Sequence, residues 1–326
     1  MEGWHSDRRA NLEEVIHELE RRFGPGIVYR LSQAKPKVGE VALSTGSLAL
    51  DYATGLGGVP RGRITEIYGP DSSGKTTLAY QLLASAQRDQ GLAVLIDAEQ
   101  AADGEAMTSC GVDLSDLILA SPVEAEEGLE MVEILVRCGA LDALVVSSVA
   151  ALGALPRRVS SLARLMSEGL SKINLFLKGT PTALVFTNHL SQPGQRPAGG
   201  RALGFYASLR IELQAQRPIT RFDGDVVGVR ALAKVTKNKM AFPLREVTLD
   251  FLEGKGISHE GELVDLGLER GLIKKLPLGL VYDFEVLGRG REQALAFLRQ
   301  NAAVTRRLEE DLRRQLMDIA PLSMSA

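Results

Sequence analysis

The 326-residue chain has two cysteines, Cys110 and Cys138, in no Cys-x-x-Cys context. Two such thiols build neither a disulfide framework nor a four-thiolate zinc site. His5, His17 and His259 fall at no metal-ligand spacing. Aromatic residues are 5% of the chain, with one Trp, so the core is read as aliphatic. No run of about 18 apolar residues occurs, which excludes a membrane-spanning helix. The first residues, Met1–Asp7, are polar and lead into a charged segment. That is unlike a secretory leader, and the chain is expected in the cytoplasm. A net charge of −3 argues against a globally basic coat for nucleic acid.

What the chain does have is glycine, 33 residues of it, and 45% hydrophobic residues. This fits glycine-rich turns around an α/β core. The charge is also uneven. Residues 97–133 hold eleven acids and no Lys or Arg, so a balanced total hides basic regions elsewhere.

From Asn11, the apolar residues Leu12, Val15, Ile16, Leu19 and Phe23 recur at helical spacing. Asn11 is the expected cap, and Gly24-Pro25-Gly26 the stop. This amphipathic helix either packs on its own domain or docks as an arm on a neighbouring subunit. Beyond Pro36, short aliphatic runs at Arg63–Tyr68, Leu92–Ile96, Leu144–Val146 and Ala183–Thr187 alternate with helical segments near 76–89, 124–138 and 160–178. The alternation predicts βαβ units and a mostly parallel sheet with helices on both faces. Leu209–Leu213, Val226–Val235 and Val247–Phe251 predict an antiparallel extension. The segment 269–326 reads as a small C-terminal domain with two charged helices.

The strongest chemical signal is Gly69-Pro70-Asp71-Ser72-Ser73-Gly74-Lys75-Thr76, which matches G-x-x-x-x-G-K-[ST] between a strand and a helix. Glycines let the backbone turn its N–H groups onto a phosphate, and the helix N-terminus adds positive potential. Lys75 reaches the β- and γ-phosphates, and Thr76 is the Mg²⁺ ligand. A carboxylate past the next strand, in Ile96-Asp97-Ala98-Glu99, is placed to orient water; otherwise Glu99 is a surface acid of an acidic stretch. The following strand, Ala143–Ser148, ends in serine where a metal-side carboxylate is expected.

These residues resemble the bacterial RecA recombinase family. The resemblance is carried by Gly62–Leu78, Ser44–Asp51, Ile96–Glu99, Gly204–Ser208, Val235–Lys239 and Gly261–Gly267, in order along residues 9–316. It implies a RecA-like P-loop ATPase core at 38–268, an N-terminal polymerisation helix within 1–37 and a small C-terminal α/β domain at 269–326. It implies that Gly69, Ser72, Ser73, Gly74, Lys75, Thr76 and Thr77 hold ATP and Mg²⁺, and that Asp103 contacts adenine. Glu99 corresponds to the catalytic carboxylate. Lys237 and Lys239 correspond to a pair that reaches the γ-phosphate of a neighbouring protomer, and Phe205 to an aromatic anchor of the subunit interface, or else an ordinary core residue. Ser147 stands for the family Asp, His189 for a glutamine that senses the γ-phosphate, and Ala106 for a tyrosine that stacks on adenine.

The resemblance implies two DNA loops, at 153–161 and 190–198 followed by Gly199-Gly200, both short, the second without the family's aromatic wedge. Arg157, Arg158, Arg164, Arg196 and Arg201 are the phosphate contacts, or a solvated basic face. The implied function is ATP-dependent binding of single-stranded DNA in recombination and repair, through a filament of this chain or with RecA, with hydrolysis weakened by Ser147. The alternative is a non-catalytic paralogue that modulates or recruits RecA filaments in translesion synthesis or the SOS response to DNA damage.

Overall fold

The computed structural model describes residues 2–24, 27–28, 42–88, 90–158, 161–190, 197–220, 224–243 and 245–318, with backbone alone for residues 2–7, 9, 317 and 318. Residues 1–39 and 40–326 form two compact units. Among its described residues the first contains one helix, α1 (Glu2–Phe23). It starts nine residues before the expected cap at Asn11, because Glu2–Ala10 contains no proline and Asn11 is free to continue a helix already begun. It stops where expected. Gly24 turns to φ 103°, and its N–H donates to the Glu20 carbonyl at 2.9 Å.

The second unit runs β1 (Ala42–Leu43), α2 (Leu48–Thr54), β2 (Val59–Pro60), β3 (Arg63–Gly69), α3 (Lys75–Gln87), β4 (Ala93–Asp97), α4 (Gly104–Ser109), β5 (Leu117–Ala120), α5 (Ala125–Cys138), β6 (Ala143–Ser147), α6 (Val149–Ala154), α7 (Leu162–Leu177) and β7 (Ala183–His189). It continues through α8 (Ala202–Tyr206), β8 (Leu209–Thr220), β9 (Val226–Asn238), β10 (Glu246–Leu252), β11 (Gly256–Ile257), α9 (His259–Glu269), β12 (Lys274–Leu276), β13 (Gly279–Tyr282), β14 (Glu285–Gly288), α10 (Arg291–Gln300) and α11 (Ala302–Asp318). Among the described residues the main sheet has the order β11-β10-β9-β8-β3-β7-β6-β4-β5. Strands β8, β3, β7, β6, β4 and β5 pair in parallel; β8, β9, β10 and β11 pair antiparallel. This is the α/β sheet with an antiparallel extension that the sequence predicts.

The central strands bury both faces. Leu95, Val145, Val185 and Ile67 meet α2, α3 and the C-terminal helices; Val94, Ile96, Leu144, Val146 and Phe186 meet α5, α6 and α7. Burial on both faces explains why β4 and β6 read as continuous aliphatic runs rather than as alternation. Many elements escaped the sequence reading. Among them α2, α4, β5, α6 and α8 have seven residues or fewer, too short for a periodic signal, as are the two- to four-residue strands β1, β2 and β11–β14. The eleven-residue α9 escaped as well. No helix among the described residues is long and apolar enough to cross a membrane.

The Ser44–Asp51 motif has a structural role. Asp51 accepts from Ser44 Oγ at 2.6 Å and from Thr45 N and Oγ1 at 2.7 Å. Ser47 caps α2, and its hydroxyl donates to Glu262 of α9, which also accepts from Leu48 N at 3.2 Å. Burial pushes the Asp51 carboxyl up to about 6 and that of Glu262 up to about 8. On the rim, Nε2 of His259 lies 3.3 Å from Glu309 of α11; the hydrogen bond from His259 holds Glu309 down at about 2. A carboxyl whose folded value is raised binds more protons folded than unfolded. Its contribution is therefore fully present below the unfolded value and is lost as pH rises through the folded one. The free energy of unfolding should thus fall between pH 5 and 8 by an amount on the order of a few kcal/mol, and denaturant midpoints with it. Glu262→Gln should flatten that fall, measured by urea titration at each pH.

Candidate functional site

Strand β3 delivers the chain into the phosphate loop and α3 leads it away. The turn is tight. A Cβ on Gly69 would lie 2.2 Å from the Leu213 carbonyl oxygen, and one on Gly74 would lie 2.5 Å from the Phe251 ring, with Gly74 at φ 93°. Gly74 caps α3 and offers no side-chain hydrogen bond to the first-turn amides, which leaves them directed at a ligand. Ser73 Oγ is buried with no partner among the described residues. Lys75 Nζ donates to the loop's own Pro70 carbonyl at 2.6 Å. Burial pulls its ammonium below the usual lysine range, against the opposing charges of Asp71 and Glu99. Ser72, at φ 57°, and Thr76 are exposed, and Thr77 is half-buried. Empty glycine positions, uncapped amides and an orphaned buried hydroxyl fit a polyphosphate. Thr76 fits one ligand of a Mg²⁺ that the phosphates would otherwise hold. Among the described residues no group of three or more His, Cys, Asp or Glu forms a metal cage.

The carboxyl ends of the neighbouring strands converge here. Glu99 follows β4 and is exposed; its N–H donates to the Ser147 carbonyl at 3.3 Å. Ser147 ends β6, is 6% exposed, and its hydroxyl accepts from Thr187 Oγ1 at 3.4 Å. His189 ends β7 in register with Gly69. Asp103 has a definite local role: it caps α4, accepting from the N–H groups of Glu105 and Ala106 at 2.9 and 3.1 Å. Its backbone also meets the buried Tyr80 hydroxyl, whose pKa burial raises.

Lys237 and Lys239 lie at the end of β9 and just beyond it, around α8. Lys237 Nζ donates to the carbonyls of Gly204 at 2.6 Å and Phe205 at 3.1 Å, and Lys239 Nζ to Phe205 at 3.2 Å. They occupy the open carbonyls at the end of this short helix. Burial, then the charges of Lys239 and Arg210, push the Lys237 ammonium down to about 8. Phe205 is 70% exposed, so it is a surface residue of this chain and not a core one.

The RecA N-terminal domain family model matches residues 10–258 and the RecA C-terminal domain model residues 261–317. The curated "Protein RecA" of Salinispora tropica is 42% identical over 95% of this chain and 93% of its own length. That of Rubrobacter xylanophilus is 43% identical over 95% and 94%, and that of Streptomyces coelicolor 42% over 95% and 87%. The chain belongs to the RecA family.

In this RecA-family chain the basic residues ahead of α7 are less free than their sequence neighbourhood indicates. Gly153 and Ala154 complete α6, so the irregular segment starts at Leu155. The Arg157 guanidinium donates back to the Gly153 carbonyl. Arg158 N donates to Glu126 at 2.8 Å, and its guanidinium lies 3.1 Å from Glu124. Arg164 lies 2.8 Å from Glu168, one helical turn on. The start of α5 and a turn of α7 thus supply carboxylates to Arg158 and Arg164. Gly199 and Gly200 turn at φ 81° and 78° and lead into Arg201, the exposed N-cap of α8. Arg196 and residues 191–195 lie outside the described residues.

Sequence reasoning missed the pair beneath the site. Glu66 of β3 accepts from Asn188 Nδ2 at 2.9 Å and from Arg210 Nε at 2.6 Å, and Arg210 sits 4.5 Å over the Tyr68 ring. The available signal was a glutamate in the middle of the aliphatic run Arg63–Tyr68. Gly69→Ala is expected to force the loop off Leu213 and to lower the melting temperature clearly. Serine at solvent-facing Gly139, where a Cβ meets nothing within 4 Å, should cost only its positive φ, roughly 1 kcal/mol.

Proposed function

We propose that this chain is a RecA-type protein of DNA recombination and repair. It binds ATP with Mg²⁺ and single-stranded DNA, assembles with copies of itself or with RecA, and hydrolyses ATP slowly. The observation that carries the reading is the Gly69–Thr76 loop with its uncapped amides at the head of α3. Family membership supports the recombination and repair role.

When bound, ATP with Mg²⁺ supplies the phosphoanhydride that is cleaved. The chain's part is positional. The loop amides and Lys75 hold the phosphates, and Thr76 holds the metal. Asp103 faces the base at the start of α4, and Thr77 and Ser72 line the loop. Glu99 orients water. Lys237 and Lys239 act across an interface anchored by Phe205, which ties turnover to assembly; such finger chemistry is worth roughly 10³–10⁵ in rate elsewhere. Residues 1–37 serve as the polymerisation segment, 38–268 as the ATPase core with the DNA loops, and 269–326 as a C-terminal domain. DNA phosphates meet Arg157, Arg158, Arg164, Arg196 and Arg201 and the backbone at Gly199-Gly200.

Ser147 supports slow hydrolysis. It brings a hydroxyl but no charge to the metal side; the carboxylate in register with it, Asp97 at the end of β4, accepts from Ala102 N at 2.8 Å. The same residue favours a second reading, a RecA paralogue that binds nucleotide and modulates or recruits RecA filaments in the response to DNA damage.

Ser147→Asp should raise Mg²⁺-dependent, DNA-stimulated ATPase activity about tenfold or more; unchanged turnover would discard the idea that this carboxylate limits it. The ion pairs of α5 give a test of the DNA loop. Arg157→Ala with Arg158→Ala should weaken single-strand binding and reduce its log–log salt slope by about 1.4. Glu124→Gln with Glu126→Gln should strengthen binding by freeing Arg158. Both are read by fluorescence anisotropy across a salt series.

A further inference from the structure

The phosphate loop holds the ring of His189. The parallel register of β3 and β7 sets His189 opposite Gly69, and Leu190 N donates to the Gly69 carbonyl at 3.0 Å. The backbone at His189 is thereby fixed beside the first residue of the loop. Its Nδ1 lies 3.0 Å from Oδ1 of Asp71, inside the loop. A carboxylate oxygen only accepts, so a hydrogen bond between the two requires the hydrogen on Nδ1. The ring's remaining position is Nε2. In the neutral ring Nε2 has a lone pair, and only the imidazolium puts a hydrogen there. A phosphate oxygen also only accepts. A glutamine at this strand end, as the family resemblance implies, donates at any pH; this histidine donates from its second nitrogen only when charged.

The charged groups around the ring can be named element by element. Asp71 and Lys75 lie on the loop and the start of α3, and Lys75 feels the charges of Asp71 and of Glu99 beyond β4. On β3 there is Glu66, paired with Arg210 of β8, and Arg63 at the far end of the strand. Neither β6 nor α6 carries a charged side chain. Asp71 is thus the carboxylate in contact with the ring, and Lys75 is the nearby cation that a bound phosphate would neutralise.

We infer that Asp71 makes phosphate sensing at His189 conditional on a proton: the carboxylate fixes Nδ1–H, and Nε2–H of the imidazolium engages the terminal phosphate of a nucleoside triphosphate. Triphosphate binding takes up a proton from solvent that diphosphate binding does not. The nucleotide state of this chain is then coupled to pH, with Asp71 as a positioning residue acting through His189. The inference rests on the nucleotide-binding reading above.

The test is calorimetry of a non-hydrolysable ATP analogue and of ADP, with Mg²⁺, in two buffers of different ionisation heat. Imidazole ¹⁵N shifts of the nucleotide-free protein are recorded alongside. The wild type should show the Nδ1–H tautomer and a larger proton uptake for the analogue than for ADP. Its analogue-to-ADP affinity ratio should fall about tenfold from pH 6.5 to 8.5, the value of one charge-assisted hydrogen bond. His189→Gln should make that ratio flat with pH. Asp71→Asn should lose the single tautomer and the excess proton uptake, and Asp71→Glu should restore both. Binding of both nucleotides with equal proton uptake in the wild type overturns the inference and leaves nucleotide binding standing. Failure of both to bind removes the nucleotide reading, and the inference with it.

Discussion

Glu66 is a charge set where a charge costs most, on the central strand with 1% of its surface exposed. An unpaired carboxylate there would be strongly destabilising, and a fully hydrogen-bonded one is tolerated. Its two oxygens take Asn188 of β7 and Arg210 of β8, so three adjacent strands are locked at one level. The level matters because the next residues along these strands are those of the site. Gly69 opens the phosphate loop, His189 faces it, and Arg210 pairs in register with Lys237. A slip of one residue would turn each of these side chains to the opposite face. The guanidinium of Arg210 also lies over Tyr68, whose hydroxyl donates to Thr236 of β9. The brace therefore reaches from the phosphate loop to the strand that carries the lysines.

Much of this was legible because the sheet is buried on both faces and its strands are aliphatic. The four parallel runs at Arg63, Leu92, Leu144 and Ala183 and the helices between them appear within a few residues of where the spacing puts them. The phosphate loop was legible because its glycines answer to backbone geometry, as the Leu213 oxygen 2.2 Å from a Cβ at Gly69 shows. Short elements were not legible. A five-residue helix such as α8 spans little more than one turn, and its existence depends on lysines arriving from β9. The role of Asp103 as the cap of α4 and the clasp of Asp71 on His189 likewise involve neighbours whose direction only the folded chain sets.

Charge was the property most changed by folding. In sequence, the acids of 97–133 and the arginines of 157–164 are separate blocks. In the fold, the first turn of α5 brings Glu124 and Glu126 onto Arg158. The acids also serve the helix they begin, since Glu124 and Glu127 form a capping box at its N-terminus, where negative charge is favourable. One cluster thus stabilises a helix end and occupies a basic residue. The positive field at the ends of α6 and α7 is smaller than a count of arginines indicates.

The lysines that close α8 have a consequence of their own. Two ammonium groups supply the hydrogen bonds that the last carbonyls of a five-residue helix lack. A lysine drawn away to an anion on another molecule leaves those carbonyls to water and loosens the helix. Loosening begins at Gly204 and Phe205, and in a helix of five residues it reaches Arg201 and Gly200 within about one turn. An anion that takes these lysines would therefore act on the chain around Gly199 and Gly200 through the loss of a helix turn.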